Sequence, residues 1–296
     1  MTAGTVEYSQ AYTDAGRWFR LRRRASVLVK HALLLALIVL WMFPVYWMFT
    51  MSVKTPLERE QRPPALVPSE WTFESYRYLF EVRGFERYAR NSIIVAGAST
   101  GIALLAGALF AYALARFTYP LNLNYHLLFW VLSLRMFPPT VTIIPVFVIF
   151  LNLRMIDTLS ALIIANVYFQ LPFVIWLMKG FFQDIPVDLE EAAQVDGDSR
   201  LTAFWRIVMP LVAPGLVATA ILTLIGSWNE FFFALILSES KAVTLPVATS
   251  TLVQEFGILW GPMTAAGSLF TIPVLVFALL VQKHLIRGLT LGGVKA

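Results

Sequence analysis

The chain of 296 residues contains no cysteine and only three histidines. Without a thiol there is no disulfide framework, no thiolate nucleophile and no cysteine-based metal site. His31, His126 and His284 stand far apart near the ends of apolar runs, with no acidic cluster beside them, which argues against a metalloenzyme in the membrane. Charge is scarce as well: 14% of residues are Asp, Glu, Lys or Arg against 58% hydrophobic, and the mean hydropathy is +0.70. A soluble core of this length needs far less apolar surface, so the chain belongs in a bilayer. The phosphate loop GxxxxGK[ST] is missing too. Its nearest approximation, Gly101 to Gly107, lacks the lysine and sits inside an apolar run.

What is present are six apolar runs, each near the roughly 20 residues that cross a hydrocarbon core. They fall near 31–53, 91–115, 127–151, 159–179, 212–237 and 264–282, and predict an all-α polytopic membrane protein with six transmembrane helices. The first run follows a basic segment but continues through Trp41, Phe43, Tyr46, Trp47 and Phe49 with no small-residue cleavage site, which predicts an uncleaved span. Residues 1–30 then form a basic tail, 54–90 a loop outside, 91–282 a core of five spans, and 283–296 a tail. Arg20, Arg22, Arg23, Arg24, Lys30, Arg200, Arg206, Lys283, Arg287 and Lys295 put both termini and the loop 181–214 inside. The opposing signal is loop 54–90, with Lys54, Arg59, Arg62, Arg77, Arg83, Arg87 and Arg90. A net charge of +5 does not indicate nucleic acid, because the arginine cluster abuts an apolar run as a membrane flank does.

Along the second run, Gly97, Gly101, Ala103, Gly107, Ala111 and Ala115 recur at near four-residue spacing, which predicts close helix packing. The most informative stretch is the polar island 181–214. Asp184 is placed to cap a helix whose first turn holds Pro186, Asp188, Glu190 and Glu191, and Gly197 to end it in the left-handed conformation. Ser199 can cap a second helix, with Leu201, Phe204, Trp205 and Val208 on one face and Pro210 closing it. Ala192 and Ala193 give the first helix a small face flanked by carboxylates. Anionic lipid would repel that face, whereas a protein cleft with basic groups would receive it.

Glu191-Ala192-Ala193, then Gly197, then Ile207, Met209 and Pro210 resemble the EAA loop of binding-protein-dependent ABC importer permeases, with Met209 where leucine is usual. The string EEAAQVDG, Arg90-Asn91-Ser92, Trp228-Asn229-Glu230-Phe231 and the ending GLTLGGVKA resemble the carbohydrate-uptake branch, in particular the second permease of maltose-type importers. The resemblance implies the type I importer transmembrane architecture in a bacterial inner membrane. It implies no cofactor in this chain, with ATP and magnesium bound by two cytoplasmic ATP-binding subunits. A second homologous permease and an extracytoplasmic solute-binding protein complete the implied assembly. It assigns ATPase coupling to Glu190, Glu191, Ala192, Ala193, Asp196, Gly197, Ile207 and Pro210, with Glu190 and Glu191 pairing to basic groups in the ATPase cleft. It also suggests an ATPase contact for Gly292, Gly293 and Lys295, in a tail that glycine would otherwise leave frayed.

Polar groups inside spans tend to face a cavity or a partner, which makes Arg135, Asn166, Gln170, Trp228, Asn229 and Glu230 the candidates for a substrate path. For Asn166 and Gln170, four apart on one helical face, interhelical glue is the default expectation, and the alternative for Glu230 is a structural ion pair with Arg135. An ion-coupled secondary transporter is the rival class, as is the same ABC architecture carrying a polyol or a glycerol-phosphate-type solute. The secondary transporter leaves the elaborate 181–214 loop without a role.

Overall fold

Where apolar runs are long and backbone polar groups have no water to bond, helices are the available answer, and the protein is built from them. The computed structural model describes residues 4–254 and 257–291. In chain order the elements are α1 (Gly4–Val53), α2 (Pro56–Glu60), α3 (Glu74–Arg77), α4 (Phe85–Arg116), α5 (Leu123–Met136), α6 (Pro139–Asn152) and α7 (Leu159–Gln183). These are followed by α8 (Asp188–Val195), α9 (Arg200–Ala203), α10 (Met209–Trp228), α11 (Phe232–Leu237), α12 (Leu245–Ser250), a small hairpin of β1 (Val253–Gln254) and β2 (Gly257–Ile258), and α13 (Trp260–Leu291). α4 packs along α7, α10 joins both, and α13 holds α1 and α10.

The expected spans differ from these helices in informative places. The run 127–151 is not one rod: the stretch Pro120–Met136 meets Pro139–Asn152 at 95°. Pro138 and Pro139 cause the break, since neither has an N–H and the residue before a proline is pushed to extended backbone, as at Phe137 (ψ 128°). The run 212–237 stops at Trp228 and restarts at Phe232, because the Glu230 carboxylate takes the N–H groups of Phe233 (2.7 Å) and Ala234 (3.1 Å). At the end of the chain, the helix continues through Gly288 to Leu291. One glycine costs a helix only ~1 kcal/mol relative to alanine, too little to stop it. Gly292, Gly293 and Lys295 lie outside the described residues.

The small residues of α4 divide into two sets. Ala103, Gly107 and Ala111 are buried, and a Cβ on Gly107 would come within 2.6 Å of the Val174 side chain, so glycine is what lets α4 approach α7. Gly97 and Gly101 have nothing within 4 Å of where a Cβ would stand and lie on an open face.

At the far end of the bundle Asp157, with φ of 58°, staples the α6–α7 loop to the segment after α11. Its carboxylate accepts from the backbone N–H groups of Glu239, Ser240, Lys241 and Ala242 at 2.9 to 3.0 Å. Burial works against ionisation there but is outweighed by the donors at Ala242, Lys241, Glu239 and Ser240, so the carboxyl is held well below its ordinary range. A depressed carboxyl contributes stability above its unfolded pKa and loses it as pH falls through the folded value, so the staple is intact at every pH above about 4. Asp157→Ala should therefore lower stability by about 2 kcal/mol at neutral pH. Thermal unfolding of the variant beside the parent measures this.

Candidate functional site

The cap position of α8 lies three residues later than expected. Asp184 instead closes α7, its N–H donating to Gly180 O, while Val187 precedes α8 with no side-chain cap. The carboxylates Asp188, Glu190 and Glu191 fill the first turn, where the helix dipole favours negative charge. Gly197 takes φ of 98°, a conformation that glycine tolerates best, and the N–H of Asp198 returns to Ala193 O at 2.9 Å to finish the turn. Ser199 then caps α9, accepting from Thr202 N–H at 3.2 Å.

Pro210 does not close this second helix. Arg200 to Trp228 run on as one helical path, through a π turn at Phe204–Val208 in which Met209 N–H reaches Phe204 O. The widened turn lies just ahead of Pro210, which lacks an N–H and whose ring needs room at the carbonyl four residues back. Ile207 sits in that turn and Pro210 in the first turn of α10. The predicted apolar face is likewise split. Phe204 and Val208 are buried against α4 and α7, whereas Leu201 and Trp205 are exposed.

The faces of α8 are sharply different. Asp188, Glu191, Ala192 and Val195, spaced as one helical stripe, are all exposed, Val195 at 87%. Asp196 follows them at the exposed end of the helix. Glu190 and Ala193 turn inward, at 5% and 7% exposure. The two alanines therefore do not form one docking face: Ala192 points out and Ala193 packs into its own chain.

Glu190 requires the larger correction, because its carboxylate is already occupied. Arg116 Nε donates to Oε1 at 2.5 Å, the Tyr112 hydroxyl donates to Oε2 at 2.6 Å, and Arg116 Nη2 donates to Ile185 O at 3.0 Å. Both charged side chains are almost wholly buried, at 7% and 6%. Glu190 thus pins α8 to the end of α4 and is not free to pair with a basic group elsewhere. Beside this pair opens a polar cavity of about 300 Å³, lined in part by Phe117, Glu191, Gln194 and Arg200. The Arg200 guanidinium lies 5.4 Å from the Phe117 ring, and Arg206 pairs with Asp198 at 3.3 Å.

The substrate-path candidates differ in their surroundings. Asn166, Gln170 and Trp228 are buried in the bundle, and Trp228 stacks on Phe270 at 5.7 Å while its indole N–H donates to Phe270 O. Asn229 is exposed, its amide bonded to Ile225 O at 2.8 Å. Arg135 does not pair with Glu230: its guanidinium lies 4.9 Å from the Phe173 ring and 5.4 Å from that of Phe169. Glu230 instead serves the restart of the helix at α11.

Residues 103–291 match the model of the binding-protein-dependent transport system inner membrane component family. The chain is 38% identical to a probable ABC transporter permease protein of Sinorhizobium fredii, over 86% of this chain and 91% of the relative. The chain belongs to that family. This ABC importer permease is also 38% identical to a trehalose transport system permease protein of Mycobacterium tuberculosis (86% and 92% covered). It is 36% identical to a trehalose/maltose transport system permease protein of Thermococcus litoralis (91% and 96% covered). Its fold is that of a bacterial ABC transporter involved in the import of alginate, with a TM-score of 0.74 at 23% identity, covering 88% of this chain and 96% of the other.

Two residues of the permease's loop region escaped sequence reasoning, Tyr112 and Arg116. They lie 74 or more positions from Glu190, and a cation ending an apolar helix is indistinguishable in sequence from an ordinary membrane flank. Asp157 escaped for the same reason, since its partners are backbone groups more than 80 residues away.

Proposed function

We propose that the chain is the second permease subunit of an ATP-driven, binding-protein-dependent importer of a sugar or oligosaccharide. The observation that carries the reading is α8: a short helix locked from behind by Arg116 and Tyr112, presenting Glu191, Ala192 and Val195 outward and exposed. A rigid helix with a small, partly apolar, partly acidic outer face suits a cleft in a cytoplasmic ATP-binding subunit, with Asp196 and Gly197 setting its exit and Ile207 and Pro210 leading into α10. ATP and magnesium belong to two such subunits. A second homologous permease supplies the other coupling helix, and an extracytoplasmic binding protein delivers solute.

This orientation places both termini and α8 inside. The basic loop 54–90 opposes it less than its composition suggests. Lys54 is buried, 4.4 Å from the Trp47 ring and bonded to Ala65 O, and Arg59 bonds Met51 O and Ser75 Oγ, so both have structural employment. The sugar class rests on the trehalose and trehalose/maltose permeases that the chain resembles. Gly292, Gly293 and Lys295 are proposed to reach the ATPase pair.

In proteoliposomes holding the assembled importer, uptake of a disaccharide should require ATP on the α8 side and persist when ionophores collapse all ion gradients. Uptake that survives without ATP but vanishes with an ion gradient would establish a secondary transporter instead. ATPase stimulation by binding protein loaded with a polyol or glycerol-phosphate diester, and by no sugar, would change the solute and leave the architecture.

A further inference from the structure

At the convergence of α4, α7 and the end of α10 lies a small cavity of about 10 Å³, whose walls include Ser92, Asn166, Ser227, Glu230 and Thr244. Two of these residues are buried with a polar atom left over. Asn166 is 2% exposed; its Nδ2 donates to Leu162 O at 3.0 Å, and its Oδ1 has no partner among the described residues. Thr244 is 5% exposed and precedes α12, where a threonine hydroxyl commonly accepts from the helix, yet its Oγ1 makes no hydrogen bond among the described residues. Buried polar groups are nearly always paired, through water where protein does not reach. The space is that of about one water-sized sphere, and the walls supply the two to four polar partners a buried water needs.

We infer that this cavity binds a single water molecule bridging Asn166 of α7, Thr244 and the Glu230 carboxylate at the helix break. The hydrogens balance. Water donates one to Asn166 Oδ1 and one to a remaining lone pair of Glu230, and its oxygen accepts the Thr244 hydroxyl hydrogen. A metal cation would engage the same oxygens but leave that hydroxyl hydrogen without an acceptor. The site also gives two of the residues set inside the spans a role unrelated to sugar, because the cavity is far too small for a pyranose. Through this water α7 is tied to the point where α10 breaks and α11 restarts.

Thr244→Val tests this by sign in the complete importer, held in nanodiscs. Valine keeps the shape and removes a hydroxyl that makes no protein hydrogen bond. With the water present, the variant loses a bridge and the apparent Tm falls by about 2–4 °C. With a dry cavity it sheds an unpaired buried group and the Tm rises, which overturns the inference. Asn166→Leu should also lower the Tm, and the double variant should fall no further than the worse single, since one water serves both. Additive losses contradict a shared molecule. Replacing sodium by choline should leave every value unchanged, and a shift on replacement would assign the cavity to an ion.

Discussion

Glu190→Ala is expected to destabilise the chain by about 3–5 kcal/mol, the cost typical of removing one partner from a buried ion pair. The reason lies in what remains behind. Arg116, almost wholly buried, keeps Ile185 O as its one acceptor among the described residues, and the Tyr112 hydroxyl loses its carboxylate. Arg116→Ala should cost a similar amount by stranding the carboxylate, while Tyr112→Phe removes one hydrogen bond and should cost about 1–2 kcal/mol. The double variant Arg116→Met with Glu190→Met, which leaves no charge unpaired, should recover most of the loss, since buried pairs are often replaceable by apolar residues of similar volume. Thermal unfolding of the four variants in detergent reads all of this. If Glu190→Ala unfolds with the parent yet no longer holds ATP-binding subunits, then Glu190 faces the partner and the internal pin is wrong.

The second large effect falls on the outer face and spares folding. Glu191→Lys reverses a charge in the exposed stripe, and among the described residues no hydrogen bond or ion pair holds the Glu191 side chain. The variant should reach the membrane at normal levels while uptake per ATP hydrolysed falls by about tenfold or more, equivalent to losing one to two kcal/mol of coupling. Gly197→Asp should act on the same step by another route. A side chain at φ of 98° strains the turn by about 1–3 kcal/mol and redirects α8 relative to α9. Parallel assays of uptake and ATPase activity separate the cases. Normal coupling in both variants contradicts a docking role for α8.

Much of this was legible in the sequence because it is local. Apolar runs give the spans, Gly197 gives the turn, Ser199 gives its cap, and the spacing from Glu191 to Pro210 gives the family resemblance. What escaped depends on contacts between distant positions. The inward turn of Glu190 and Ala193 is set by Arg116, Tyr112 and the packing of α4 against α7, and an eight-residue helix flanked by turns carries no pattern strong enough to reveal which of two adjacent glutamates faces the core. The helix through Pro210 was missed because a π turn upstream absorbs the clash that proline ordinarily creates. The break at Asn229 was missed because hydropathy does not register a carboxylate that caps a helix inside an apolar run.

The central claim is that α8 docks through its outer face while Glu190 and Ala193 hold it from within. The absence of cysteine from the chain offers a clean measurement. Single cysteines at Ala192 and at Ala193 can be oxidised against a single cysteine placed in the ATPase cleft, in the assembled importer with and without ATP. Efficient cross-linking from Ala192→Cys that changes with ATP, and none from Ala193→Cys, is the expected result. Equal cross-linking from both positions, or from neither anywhere along the ATPase surface, would contradict it.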